Sequence, residues 1–500
     1  MPQSDVKILK NGGGLGRTDP SKDHISGLLC YVDSIPAAFN GGAEGVALVT
    51  GLKVAEDLGI TSNSVDATAP TATITVTAAG LEGETITVNF GDLELCVASI
   101  PNTPTTTNVA TAIAAAITAN FDNTGYTATS AVAVVTITAP KSVGESINGD
   151  SLTIVHSGAS TSTDTAFIGG LGSVIDIVNY HISEFFRAKS DGILYVGLYV
   201  QPVTITFAEI ASVQNFANGA IRQIGVWQKK DAFATSQLGT IQAILTAQFN
   251  LHRPLECVYQ AEISGTATIT DLPSLTGLSA NQVMVRIGQD GNNVGNRLFT
   301  ALGKSVGDLG TALDSIAAAD VATSIAYVSQ FNVGATAEFD SPAYANGTLL
   351  NTIDENTKVL LSNRQYGFVR KREGIDGTYF NASNTSVAAS NDFSTMENNR
   401  TIDKASRQLR TALLPLLNSK LFVDPQSGEL TYATINTFQT AAEKALRDME
   451  TAQELSGYQI SIDPNQNVLS TSKIIVVATI IPVGVAKNIE VPLAFAVKLS

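Results

Sequence analysis

Between Gly192 and Asp290, nearly continuous apolar runs of strand length alternate with stretches of helical spacing, and no other feature of the chain limits its fold as much. "GILYVGLYV" (192–200) is apolar on both faces, as a strand covered from two sides must be. "FAEIASVQNFANG" then sets Ile210, Val213 and Ala217 at helical spacing, with Gly219 as its stop. "AIRQIGVWQ" predicts a second strand, "SQLGTIQAILTAQFNLH" a helix ended by Pro254, and "LECVYQAEI" and "NQVMVRIGQD" two more strands. Strands separated by helices run parallel, so a mostly parallel, covered sheet is expected.

A chain of 500 residues exceeds one ordinary domain. No Lys or Arg stands between Lys53 and Lys141, and that stretch is built of Thr alternations: "TATITVTA", "ETITVNF", "AVVTITA" and, just beyond, "DSLTIVHS". These are strand signals, and "TNVATAIAAAITANF" between them puts Val109, Ala112, Ile113, Ala116 and Ile117 on one helical stripe. The expected organisation is therefore an α/β multidomain chain. Residues 1–60 form an N-terminal arm and the first part of the core, 61–172 an inserted peripheral α+β module, 173–345 the α/β core and 346–500 a C-terminal unit.

That last unit has its own plan. "RTIDKASRQLRTALLPLLNSKLF" predicts an amphipathic helix with Ile402, Ala405, Leu409 and Leu413 inward, interrupted by Pro415. A longer helix follows, with Ile435, Phe438, Ala442, Ala445 and Met449 inward, Glu443, Lys444, Arg447, Asp448 and Glu450 outward, and Gly457 as its stop. Two strands close the chain, "SKIIVVATIIPV" and "NIEVPLAFAVKLS". In the second, Ile489, Val491, Leu493, Phe495, Val497 and Leu499 alternate without a break, an apolar face that needs a partner.

Composition excludes several classes of function. Hydrophobic residues make up 44% of the chain but charged ones only 15%, which suits a surface covered by neighbours. A formal charge of −15 argues against nucleic acid and anionic membranes as partners, because both recruit clustered Lys and Arg. Cys30, Cys96 and Cys257 are isolated among apolar residues and read as buried free thiols, without a disulfide or metal framework. The N-terminal "MPQSDVKILKNGGGLG" has no apolar core of signal-peptide length, and the most apolar run, 474–486, is too short to span a bilayer.

Near-matches to chemical motifs each fail. "GKSVG" (303–307) fits a nucleophile elbow around Ser305, yet none of His24, His156, His181 or His252 follows it. The same "GKS" lacks the phosphate-loop glycine, since Leu298 stands there, and "GGGLG" (12–16) is followed by Arg17 where a dinucleotide loop needs glycine. "DGNNVG" (290–295) has Val294 and Ala301 where a calcium loop needs oxygen ligands, so a turn is expected. "YHISEFFR" offers His181 and Glu184 without a third ligand, and reads as a helix with its aromatics in the core and the two polar groups near its boundary. The basic "RQYGFVRKREG" (364–374) is expected to pair with carboxylates or to be solvated. No catalytic, cofactor-binding or metal site is expected, and no enzymatic activity.

Three stretches resemble the sheath proteins of contractile phage tails and related injection systems. They are the ending "IIVVATIIPVGVAKNIEVPLAFAVKLS", the helical lead "NDFSTMENNRTIDKASRQLRTALLPLL", and "IVNYHISEFFRAKSDGILYVGLYV" with a Thr-rich module just before it. The resemblance implies a sheath-like α/β core with a mixed sheet and exchangeable terminal strands. Val6, Ile8 and Leu9 would form the N-terminal arm and 489–499 the C-terminal one, each adding to a neighbour's sheet, with Pro492 interrupting the pairing. It further implies hexameric rings stacked around a tail tube, contraction by repacking without nucleotide hydrolysis, and genome ejection. The partners would be further copies, the tube, baseplate and terminator proteins, with Glu443, Lys444, Arg447, Asp448 and Glu450 facing the tube. The place would be a virion tail assembled in the host cytoplasm. Alternatives are another tail structural or adhesive protein (tube, baseplate or fibre) and a serine hydrolase using Ser305.

Overall fold

The computed structural model describes residues 23–39, 45–62, 68–140, 143, 147–170, 173–334 and 338–495. The described chain opens on an interior strand of its largest sheet. Strand β1 (Ile25–Val32) has all eight residues buried, although its "ISGLLCYV" gave no signal that set it apart. β2 (Val46–Val49) follows, then the short helix α1 (Leu52–Asp57).

Strands β3 (Thr71–Ala78), β4 (Thr85–Phe90), β5 (Leu93–Ser99), helices α2 (Thr106–Ala119) and α3 (Phe121–Thr124), and strands β6 (Thr127–Ala131), β7 (Val134–Thr138), β8 (Thr153–His156) and β9 (Thr161–Asp164) come next. They form two antiparallel sheets, ordered β6-β7-β3-β9 and β5-β4-β8. The Thr alternation explains this: on β3, Ala72, Ile74 and Val76 point inward while the threonines between them stay partly exposed. The outward threonines pair across strands, with Thr77 and Thr161 hydroxyls 2.8 Å apart. Inside, Ile74, Val88, Ile113, Ile117, Ile137 and Phe167 belong to one apolar cluster, so α2 and both sheets share a core of their own.

The chain returns to the large sheet through α4 (Val174–Ala188), β10 (Ile193–Val200), α5 (Glu209–Phe216), β11 (Gln223–Trp227), α6 (Thr235–Asn250), β12 (Glu256–Gln260) and β13 (Val283–Arg286). Then follow β14 (Gly288–Asp290), α7 (Val294–Leu302), α8 (Leu309–Ala318), β15 (Pro342–Tyr344), α9 (Glu355–Asn363), β16 (Tyr366–Gly367) and the hairpin β17 (Val369–Arg370) with β18 (Tyr379–Phe380). The seven-stranded order is β16-β13-β12-β11-β1-β10-β2. Every pairing is parallel except that of β2 with β10, so the sheet is mixed.

Alternate residues of β1 serve opposite faces: Leu28, Cys30 and Val32 pack with α4 and α8, and Leu29 and Tyr31 with α5 and α6. Each large apolar side chain buried this way contributes roughly 1.5–3 kcal/mol. Two glycines let the helices come close. A Cβ on Gly225 would meet Leu313 of α8 at 2.6 Å, and one on Gly197 would meet Val213 of α5 at 2.6 Å.

The C-terminal unit consists of α10 (Met396–Leu413), α11 (Tyr432–Thr451), β19 (Leu455–Ser461), the short α12 (Val468–Thr471) and β20 (Val477–Pro482). Its apolar clusters are small: Ala405, Ala442, Leu446, Met449, Leu455 and Ile460 in one, Leu430, Phe438, Ile462 and Val468 in the other. Gly457 does not stop α11. The helix ends at Thr451, Gln453 adopts the left-handed conformation at φ 61°, and Gly457 lies inside β19 opposite Ile481. The apolar stripe of α11 runs out at Met449, and the chain turns before the glycine is reached.

Candidate assembly surface

β19 and β20 form an isolated two-stranded antiparallel ribbon, with Tyr458 opposite Ile480 and Gln459 opposite Thr479. A two-stranded ribbon is marginal alone, and α11 supports it from one side. Among the described residues, neither outer edge carries a further strand. Both edges therefore present unpaired backbone groups, a template for an added strand. Val477 and Ile481 of β20 are about half exposed.

The segment after β20 carries the alternating pattern but forms no strand as far as Phe495. Ile489 is 82% exposed, Val491 76% and Leu493 94%, and Phe495 is fully open to solvent. Lys487 ties the start of this segment to the core by donating to Asn384 Oδ1 at 3.2 Å. Val497 and Leu499, like Val6, Ile8 and Leu9, lie outside the described residues.

The charged residues of α11 divide between two places. Gln439 donates to Glu443 at 2.7 Å, and Arg447 stands 3.9 Å from Glu443 and bonds Tyr458 of β19. Lys444 and Asp448 instead line a groove of about 720 Å³ together with Lys404, Arg407 and Arg410 of α10 and His252 at the end of α6. Glu450 is exposed.

The same groove holds the joint between the C-terminal unit and the sheet. Asp23, just ahead of β1, accepts from Lys404 Nζ at 2.8 Å and from Arg407 Nη2 at 2.8 Å. Lys404 also pairs with Glu454 beyond α11. Arg400 donates to the carbonyls of Ala319 at 3.1 Å and Asp320 at 3.3 Å. These side chains are mostly buried, where breaking a pair costs far more than at an open surface. Sequence reading missed the whole set, since no spacing connects residue 23 to residue 407.

The residues singled out for chemistry are committed elsewhere. Ser305 is fully buried; its hydroxyl donates to the Ala345 carbonyl at 2.7 Å and accepts from the Ile263 amide at 2.9 Å. His181 and Glu184 sit inside the core, not near its boundary as expected, because α4 is covered on several sides. His181 accepts from the Gly310 amide at 3.3 Å, and burial pushes its pKa down to about 3, so it is neutral. Glu184 accepts from Thr311 at 2.8 Å and Arg187 at 3.0 Å.

Asp290, in the calcium-like stretch, caps the start of α7 by accepting from the amides of Asn292, Asn293 and Asn296. In the basic cluster, Arg370 pairs with Glu355 at 2.7 Å and Lys371 with Asp340 at 3.1 Å, while Arg364 donates to the carbonyls of Thr270 and Leu272. All three cysteines are free and buried. Among the described residues no group of three or more His, Cys, Asp or Glu could hold a metal ion, and no helix is long and apolar enough to cross a membrane.

Comparison with known proteins gives the following. The family described as DUF2586, C-terminal domain, matches residues 392–500, the stretch containing α10, α11 and the open ribbon. The chain is similar to a solved structure of the anti-feeding prophage helical sheath in its contracted state, at 16% identity and a TM-score of 0.45, over 66% of this chain and 84% of that one. It is similar to a chain of the anti-feeding prophage baseplate at 14% identity and a TM-score of 0.44, over 65% and 87%. It is also similar to the sheath tail protein from Listeria innocua at 12% identity and a TM-score of 0.40, over 91% and 94%. No curated protein matches.

Proposed function

We propose that the protein is the structural subunit of a contractile tail sheath, which polymerises as stacked rings around an inner tube and contracts by repacking its subunits. The observation that carries this reading is the unfinished C-terminal unit: a ribbon with open edges beside an alternating apolar segment that pairs with no strand among the described residues. Such a segment added to the ribbon of a second copy would complete a sheet by main-chain hydrogen bonds, with Ile489, Val491, Leu493 and Phe495 packing on one face. The donor and acceptor surfaces are different patches, so the contact is head-to-tail and propagates into rings or helices. Pro492 lacks an N–H and restricts the added strand to a pairing that leaves its position unbonded.

The N-terminal arm of Val6, Ile8 and Leu9 belongs to the same proposal, as do the tube, baseplate and terminator partners, a place in a virion tail assembled in the host cytoplasm, and a role driving the tube through a cell envelope. Contraction would draw on the difference in stability between two lattices, with the terminal connections kept. On α11, Glu443, Lys444, Arg447, Asp448 and Glu450 belong to the same proposal as the residues facing the tube, Lys444 and Asp448 from the border of the groove. Negative-stain microscopy of the purified chain tests the proposal. Hollow tubular or helical assemblies are expected; monodisperse monomers at high concentration, or solid fibres without a lumen, would overturn it.

A further inference from the structure

The Thr-rich module has an acidic end. Where β4 turns into β5, Asp92, Leu93 and Glu94 are all exposed. Asn120 donates to the carbonyls of Glu94 at 3.4 Å and Leu95 at 3.1 Å, which holds the start of α3 against the start of β5. Phe121 and Asp122, both exposed, therefore stand at the same end of the module. Two apolar side chains project there among three carboxylates, and among the described residues none of the three carboxylates is ion-paired. With no Lys or Arg between Lys53 and Lys141, the module has no cation from β3 to β7 to neutralise them.

The joint presents the opposite surface. At the α6 end of its groove, a pocket of about 330 Å³ is walled by Phe249, Leu414 and Leu417, all exposed, and bordered by Arg407, Arg410 and His252. Arg407 is held by Asp23, but Arg410 is exposed and makes no ion pair among the described residues. On a chain of net charge −15, a basic concavity is the exception. Apolar walls under a cationic rim fit a convex partner that is apolar at its tip and anionic around it. The acidic end of the Thr-rich module meets both conditions. We infer that this end of one copy docks into the α6–α10 pocket of a second copy, Leu93 and Phe121 entering against Phe249, Leu414 and Leu417, and the carboxylates facing Arg410.

The two patches differ, so the contact is head-to-tail and every copy can give and receive it. It adds to the strand exchange proposed above and does not depend on it. One such contact is small and does not sustain a lattice alone; repeated along a polymer, it is strengthened by the neighbours already linked. Its charges lie at an exposed rim, so it weakens as salt rises. Lys444 and Asp448 border the wider groove and do not line this pocket.

Zero-length carbodiimide coupling of the full chain reads the contact directly. Arg410→Lys keeps the charge and supplies an amine, and a mixture of isotopically light and heavy chains separates couplings between copies from those within one. Couplings between copies that join position 410 to Asp92, Glu94 or Asp122 are expected; their absence, or couplings only within single chains, would overturn the inference. Charge reversal gives a second reading. Arg410→Glu and Glu94→Lys should each weaken self-association, followed by light scattering against concentration, about tenfold, and the chain carrying both should recover most of the loss. Both side chains are exposed, so circular dichroism should not change. Reversals without effect, or a double variant no better than the single ones, would count against the contact. So would an effect of Arg410→Glu that neither Glu94→Lys nor Asp122→Lys reproduces, because the pocket would then hold something else. Hollow tubes indifferent to these reversals would sink this inference alone; the expected couplings without tubes would sink the sheath reading alone.

Discussion

The Thr-rich unit between β3 and β9 and the C-terminal unit from α10 to β20 use the same ingredients, alternating strands against an amphipathic helix, and finish differently. In the first, seven strands and α2 close around one cluster that includes Ile74, Ile113, Ile137 and Phe167. In the second, two strands lean on α11 above two small clusters, and the apolar residues that could extend them stand in solvent. The difference teaches where each unit's stability comes from. The first draws it from its own chain; the second, if the proposed function holds, would be completed by contacts with a further copy.

Deleting residues 489–500 should have the largest effect on this contrast. Assembly seen by microscopy should disappear while circular dichroism and the unfolding midpoint stay as in wild type, because the described part of this segment, 489–495, is exposed and exposed residues contribute within about 0.5 kcal/mol each. Ile113→Ala attacks the closed unit instead. Loss of a fully buried side chain should cost about 2–5 kcal/mol, read as early exchange of β3, β4 and α2, with assembly retained. Asp23→Ala removes the acceptor shared by Lys404 and Arg407 and should cost about 1.5–3 kcal/mol in denaturant, with faster exchange confined to α10 and β1. Thr105→Ala removes the cap of α2, whose hydroxyl accepts from the Asn108 amide at 3.1 Å, and should cost about 1 kcal/mol. If the deletion unfolded the C-terminal unit, or if Ile113→Ala abolished assembly, the contrast would fail.

Much of the fold is legible in the sequence where burial imposes a period. β10, β11 and β12 read as apolar runs because both faces are covered, and β3 reads as an alternation because one face is. β1 escaped notice although it is an interior strand, since Ser26 and Gly27 interrupt its apolar run near the start. The end of α11 was misplaced because a glycine is one of several ways to leave a helix, and here Gln453 takes the left-handed position.

At the assembly surface, the alternation of 489–495 is plain in the sequence. The joint is not. Asp23 and Arg407 lie 384 positions apart, and they meet only because α10 packs across the sheet. Periodicity reveals which side of a helix is apolar but not what stands opposite its polar side. For that reason Lys444 and Asp448, which share a stripe with Glu443 and Arg447 in sequence, border a groove while Arg447 bonds Tyr458 of β19 and Glu443 stays on α11 beside Gln439 and Arg447.

The ends of the described chain also differ in how they take up tension. β1 starts at Ile25 beside Ile193 of β10, with β11 on its other side, so a pull on residue 23 along the strand loads both ladders at once. β20 ends at Pro482 beside Leu455, where β19 begins, so a pull between the tail and α11 parts the ribbon from that end, one bond after another. A linked array of such subunits would yield first at its C-terminal connections, and the covered sheet would transmit the load intact.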